Sequence, residues 1–279
     1  MIDLAITITT FSMMVMLFKY FDKIRVNNLI AITFNYFTAG TLALSSYLLE
    51  NSFIELKTNT NLNLVIIALI IGTLFVITFN LYAYSAQKIG ITLSTISNKM
   101  SMVIPILIGI ILFKEEVTFF KIIGVFLALG AIVFSSKEDK KSKKLSQLNI
   151  IILFLLFIGQ GLADGLLNWG QRNILNSQNM NLFFTLTFLS AGFAGGLYSF
   201  LKIKTSNLKM DKKSIFWGII LGIPNYLTLL YFIKSLKSEL FSSYQVFPIV
   251  NIGVIVMCTS LSVILFQEKV SIFKWVGVG

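Results

Sequence analysis

Nine long apolar runs occupy most of this 279-residue chain. They fall near residues 2–18, 28–49, 62–84, 91–113, 118–135, 149–169, 180–200, 214–233 and 240–266, and a tenth run begins near Ser271. A helix needs about 20 residues to cross a hydrocarbon core about 30 Å thick, and the runs have that length or nearly so. Lipid offers no partner to an open backbone amide or carbonyl, so each run is predicted to be helical. A membrane β-barrel would show alternating segments of about ten residues, and these runs are continuous. The first and fifth runs are short, and flanking lysines that snorkel to the interface make up the difference.

Composition narrows the chemistry. Hydrophobic residues make up 56% of the chain and charged residues 13%, about half the charge of a typical soluble domain. A water-soluble globule of this size has no core large enough to hide that apolar surface. There is no histidine, and Cys258 is the one cysteine. This removes the usual general base, a disulfide within the chain and a cysteine-based metal cage. The sequence has no G-x-x-x-x-G-K-[ST] loop, so ATP hydrolysis by this chain is not expected. No enzyme and no cofactor are expected. The net charge of +11 lies mostly between the runs, where lysines anchor loops at anionic headgroups and do not mark a nucleic-acid site. The first 18 residues contain Asp3 and lack a basic leader, so a cleaved signal peptide is not expected.

The chain repeats itself. Residues 111–125 read ILFKEEVTFFKIIGV and residues 264–278 read ILFQEKVSIFKWVGV, identical at nine of fifteen positions with an offset of 153. At the same offset Asn98 falls on Asn251. The expected organisation is a first five-helix repeat over 1–135, a lysine-rich linker over 136–148 and a second repeat over 149–279. An odd number of spans per repeat inverts the second copy, which relates the halves by a pseudo-two-fold axis in the membrane plane. The fold expected is therefore an all-α membrane bundle of ten transmembrane helices, with most of the last helix cut off at Gly279.

Lysine and arginine divide unevenly between the loop sets. The odd-numbered loops carry Lys19, Lys23, Arg25, Lys88, five lysines of the linker, Lys202, Lys204, Lys209, Lys212, Lys213, Lys269 and Lys274, sixteen in all, against six in the even-numbered loops. The positive-inside rule then puts the odd loops in the cytoplasm and the N-terminus outside.

Polar residues inside the runs are the functional candidates. The sixth run reads FIGQGLADGLLNWGQR, and Gln160, Asp164 and Asn168 recur every four residues along one helix face. A carboxylate there is expensive and ordinarily faces the bundle interior or a water-filled cavity. Asp164 can exchange a proton during transport, counter a cationic group or form a structural pair with Lys99. Lys99, beside Asn98, either snorkels or shares a cavity with Asp164. Asn35 and Tyr36, Asn80 and Tyr82, Asn225 and Tyr226, Tyr244 and Gln245, and Asn251 complete the set as neutral substrate- or ion-binding candidates. Each of these also fits an interhelical hydrogen bond. Pro105, Pro224 and Pro248 are positioned to kink their helices.

Two features resemble a known group. Pro105 precedes Ile111-Leu112-Phe113-Lys114-Glu115, and Pro248 precedes Ile264-Leu265-Phe266-Gln267-Glu268. A proline in the fourth span followed by a short "LLFxE" turn is similar to the repeat unit of EamA-type members of the drug/metabolite transporter superfamily. The stretches FNYFTAG and FIGQGLADGLLNWGQ look like a bacterial subgroup of these transporters. The resemblance implies an inner-membrane secondary carrier for a small metabolite that exchanges substrate or couples to ions; members move amino acids, other metabolites, sugars, nucleotide sugars or cationic drugs. Asp164, Lys99 and the Asn and Tyr residues suit a zwitterion such as an amino acid, or a cation held by aromatic faces, and alternating access follows from the inverted repeat. The partners expected are membrane lipid, a small-molecule substrate and a proton or cation, with no nucleic acid, in a monomer or weak homodimer. The resemblance also implies both termini in the cytoplasm, against the lysine count. The small four-helix exporters of the superfamily use a glutamate in their first helix; spans one and six here offer none, and Asp164 is the nearest substitute. A non-transporting scaffold or lipid-handling subunit is the bland alternative, and a membrane-embedded enzyme is a weaker one.

Overall fold

A computed structural model describes residues 1–50, 61–113, 146–175, 179–206, 210–236 and 243–268, with isolated positions 119, 123, 130 and 270. All regular structure among them is helical. The elements are α1 (Ile2–Lys23), α2 (Asn28–Glu50), α3 (Leu62–Lys88), α4 (Ile91–Met100), α5 (Val103–Phe113), α6 (Gln147–Asn173), α7 (Met180–Ser206), α8 (Lys212–Leu236) and α9 (Ser243–Phe266). With α4 and α5 taken together, eight segments are long and apolar enough to cross a membrane. The protein is thus an all-α, multi-pass membrane protein. The fifth run, the linker up to residue 145, Glu115 with Glu116, and the stub after Ser271 lie outside the described residues.

Helix starts follow local chemistry. The first amides of a helix have no partner within it, and a short polar side chain satisfies them. Asn27 Oδ1 accepts from the amides of Leu29 and Ile30. Asn61 caps α3 through the Leu64 amide at 2.7 Å. Ser146 caps α6, and Asp211 accepts from the Ser214 amide at the start of α8. Gly90, before α4, has no side chain to offer. Glu268 reaches over from the end of α9, and its Oε2 accepts from the Ile91 amide at 3.0 Å.

The fourth run is where expectation and structure part. One continuous span over 91–113 was expected; the helix instead breaks at Ser101–Met102. Pro105 is the cause. It lacks the amide that would bond the Ser101 carbonyl, and its ring crowds that carbonyl. The Ser101 carbonyl accepts from Ile104 instead, at 2.9 Å, one residue short of α-helical spacing. Pro224 and Pro248 sit within α8 and α9 without interrupting them.

Side-chain contacts fix helix directions. Ile104 and Ile108 of α5 face Gly161 and Gly165, so α5 and α6 run parallel. Thr78 faces Gly159 and Ile67 faces Gly170, so α3 and α6 run antiparallel. Thr33 meets Ser199 whereas Gly40 meets Leu189, which makes α2 and α7 antiparallel. Thr10 bonds Thr228 and Ile24 accepts from Lys213, so α1 and α8 are antiparallel as well. One end of the bundle therefore collects Lys19, Lys23, Arg25, Lys88, Lys202, Lys204, Lys212 and Lys213, and is called the lysine-rich face below.

Helices in lipid gain little from mutual apolar burial, so close approach and interhelical hydrogen bonds hold them together. At Gly72 an added Cβ would stand 2.4 Å from the backbone oxygen of Thr187, and Ser190 Oγ donates to the Ala68 carbonyl beside it. This seals α3 against α7. Tyr36, Phe79 and Phe188 stack in the middle of the same seam, with ring centroids 5.4 and 6.2 Å from Tyr36.

Candidate functional site

A cavity of about 120 Å³ lies among α1 and α3 to α9. A water centre needs roughly 10–15 Å³, so there is space for on the order of ten waters or a metabolite of amino-acid size. The lining residues run from the middle of the bundle toward the face opposite the lysines. Gln171, two residues before the end of α6, and Phe232, near the end of α8, mark its upper reach.

Of the fourteen candidates from sequence, six line this cavity: Lys99, Gln160, Asp164, Asn168, Asn225 and Asn251. The 3.6-residue period brings Gln160, Asp164 and Asn168 onto one face of α6, as expected. Gln160 Nε2 donates to Asp164 Oδ1 at 2.9 Å, and Gln160 Oε1 accepts from Asn98 Nδ2 at 3.2 Å. Asn98 thus sets the amide orientation of Gln160, and Gln160 holds the carboxylate. Asn168 accepts from Arg172, and Asn251 Nδ2 donates to Met102 Sδ. Asn225 Nδ2 donates to Asn35 Oδ1 at 3.1 Å, so Asn35 supports the wall from behind.

Lys99 neither snorkels nor pairs directly with Asp164. Its ammonium sits 3.4 Å from the centroid of the Phe11 ring. A cation over an aromatic face gains about 0.5–2 kcal/mol, more as water is excluded. Lys99 and Asp164 both line the cavity, yet no ion pair within 4 Å joins them; the one such pair among the described residues is Lys88–Asp22 at 3.0 Å. Both Lys99 and Asp164 are half-buried, so each keeps polar surface toward the cavity.

The remaining candidates are structural in this arrangement. Tyr82 donates to Thr95 Oγ1 at 2.8 Å, Tyr226 bonds Ser46, and Asn80 bonds the Val76 carbonyl one turn back in its own helix. Tyr36 is buried in the aromatic seam, and its hydroxyl has no partner among the described residues. The side chains of Tyr244 and Gln245 lie outside the described residues.

Sequence reading missed Phe11 and Thr7. The offset of 153 could have found them, because Thr7 corresponds to Gln160 and Phe11 to Asp164. The same offset pairs Met14 with Leu167, Phe75 with Thr228 and Phe79 with Phe232, and all ten of these residues line the cavity.

Comparison with known proteins agrees with this architecture. Residues 2–137 match the EamA-like transporter family. That match spans just under half of the chain and falls on its first repeat. An uncharacterized protein of Haemophilus influenzae is 28% identical over 254 residues, which span 89% of this chain and 84% of the relative. With eight apolar crossings among its described residues the chain is a multi-pass membrane protein whose first half is similar to EamA-like transporters, which fits an inner-membrane location. No group of three or more His, Cys, Asp or Glu that would hold a metal occurs among the described residues.

Proposed function

We propose that this protein is an EamA-type secondary carrier for a small zwitterion, an amino acid or close relative, and that it works by alternating access between two inverted five-helix halves. The observation that carries the substrate class is the pair of opposite charges, Lys99 and Asp164, in one cavity with no ion pair between them. A solute bearing both a carboxylate and an ammonium satisfies both at once. A simple amine or a simple acid leaves one charge uncompensated, which is costly in a water-poor site.

The ten-helix, inverted reading has two supports. Exchanging α1 with α6, α2 with α7, α3 with α8 and α4 with α9 turns the α1–α8 contact into α6–α3, and α2–α8 into α7–α3, and both members of each pair occur. Moreover, Phe113 stands level with the end of α6, because Ile108 faces Gly165. Gln147 then lies at the opposite face, roughly 35 Å away at 1.5 Å per residue. The chain thus leaves α5 at one face and enters α6 at the other, as a fifth crossing between them would require. The lysine bias makes the lysine-rich face cytoplasmic, so the cavity reaches toward the outside.

The test is uptake by purified protein in liposomes against a panel of neutral amino acids, amines and organic acids, with and without a pH gradient. Zwitterions are expected to compete at least about tenfold better than solutes with one charge. Proton movement that tracks flux identifies proton coupling. Competition by amines alone refutes the zwitterion, and no flux of any solute favours a scaffold or lipid-handling role. In the same assay Lys99→Met is expected to weaken carboxylate-bearing solutes about tenfold or more, since a charged hydrogen bond contributes about 1.5–3 kcal/mol. Amines without a carboxylate are expected to bind it as well or better, because the uncompensated ammonium is gone. Equal loss for both classes would assign Lys99 to packing.

A further inference from the structure

The cavity occupies one half of the bundle, and the 153-residue register says what its other half is. Ten lining residues pair with one another under this offset. Others have partners that do not line it: Gln171 corresponds to Phe18, Phe188 to Asn35, Phe247 to Ser94, Val250 to Ser97, Met102 to Ile255 and Pro105 to Cys258. These six partners come from four different helices, and all of them are at most 2% exposed. Phe18, Asn35, Ser94, Ser97, Ile255 and Cys258 all lie on the side of the bundle toward the lysine-rich face. Four of them are small or polar, and in this closed state Ser97 Oγ donates to the Leu153 carbonyl, Ser94 Oγ to the Gly90 carbonyl, and Asn35 Oδ1 accepts from Asn225. The register breaks at Lys99, whose partner Ile252 faces outward at 53% exposure.

We infer that these six residues line a second, presently closed half-site for the same solute, which opens to the lysine-rich face when the halves exchange conformations. The inference rests on the alternating-access reading above. What shuts this half-site is identifiable. Glu268 of α9 caps α4, and an added Cβ at Gly90, whose φ is +131°, would meet Glu268 Oε1 at 2.4 Å. Glu268 Oε1 itself is buried and without a hydrogen-bond partner among the described residues. A half-satisfied buried carboxylate is a clasp held at a cost, and it is easily released. Behind it Thr92 meets Ser262 at 3.4 Å across the same α4–α9 seam. Tyr20 and Phe21 pack on Trp217, and Asn27 bonds Ser214, closing α1 and α2 onto α8.

The chain carries its own reporter, since Cys258 is its single cysteine and is fully buried here. Full-length protein in sealed vesicles is treated with a small membrane-impermeant methanethiosulfonate, applied to one face at a time. Glu268→Ala is expected to raise the labelling rate of Cys258 at least tenfold, from the lysine-rich face alone. Cys258→Ser with Ser97→Cys is expected to gain the same one-sided labelling when Glu268→Ala is added. Cys258→Ser with Ala39→Cys, equally buried but outside the symmetric set, is expected to stay protected. Labelling from the lysine-poor face, absence of labelling at both Cys258 and Ser97→Cys, or equal labelling at Ala39→Cys, the mark of general loosening, each overturns the inference. Solute flux in the liposome assay is read separately. Flux without one-sided labelling refutes the half-site but keeps the carrier; one-sided labelling without flux shows an opening at the lysine-rich face but refutes the carrier, and with it a half-site for its solute.

Discussion

Asp164→Asn is expected to reduce transport by a factor of about 30 to several thousand while leaving the fold intact. The substitution keeps the volume of the side chain. Its amide oxygen still accepts from Gln160 Nε2, which now holds Asp164 Oδ1 at 2.9 Å. What disappears is the charge opposite the solute's ammonium. Removing one member of a desolvated, hydrogen-bonded charge pair costs about 2–5 kcal/mol, and each 1.4 kcal/mol is about tenfold in affinity. The thermal midpoint in detergent is expected to stay near that of the parent, because Asp164 has no ion pair to lose. Flux that survives unchanged would make Asp164 a packing residue and would remove the charge argument for a zwitterion.

Gly72→Leu is expected to have the largest effect on stability. Even the first carbon of a side chain there would lie 1.9 Å from Ser190 Oγ and 2.4 Å from the Thr187 carbonyl oxygen. The serine can rotate away, but the carbonyl belongs to α7 and cannot. The helices would have to separate, which breaks the Ser190–Ala68 bond and loosens the Tyr36–Phe79–Phe188 stack. Overpacking of this kind costs about 1–3 kcal/mol and occasionally more. The measurement is the midpoint of thermal or denaturant unfolding in detergent. Gly170→Ala serves as the comparison, since its new carbon would meet nothing nearer than 3.8 Å, and alanine is favoured over glycine in a helix by roughly 1 kcal/mol. An equal loss at both positions would show that close approach at Gly72 is not what holds the α3–α7 seam.

Most of the fold was legible because hydrocarbon is an unforgiving solvent. Apolar runs of the right length have few alternatives to crossing as helices, so run boundaries and helix boundaries agree within a few residues for all eight described crossings. The break at Ser101–Met102 was harder to read, since a membrane proline is tolerated in some helices and splits others; α8 and α9 carry prolines without breaking. The site was legible where charge made burial expensive, at Asp164 and Lys99. Neutral residues gave weaker signals. Asn35, Asn80 and Tyr82 look in sequence like Asn225 and Asn251, and only packing decides which face a cavity and which bond a neighbouring helix. Phe11 stayed hidden because one phenylalanine among 26 carries no local mark. Its role follows from what stands opposite it in the second copy.

That constant register has a thermodynamic consequence. Two identical halves in an inverted arrangement would make the two facing states the same object turned over, equal in energy by symmetry. Any preference of the resting protein for one of them must then come from positions where the copies differ. Phe11 against Asp164 and Lys99 against Ile252 are such positions, and they are also where the charges lie. On the proposed mechanism the groups that select the solute would also be the ones that lift the degeneracy, and a solute neutralising them would draw the two states closer in free energy.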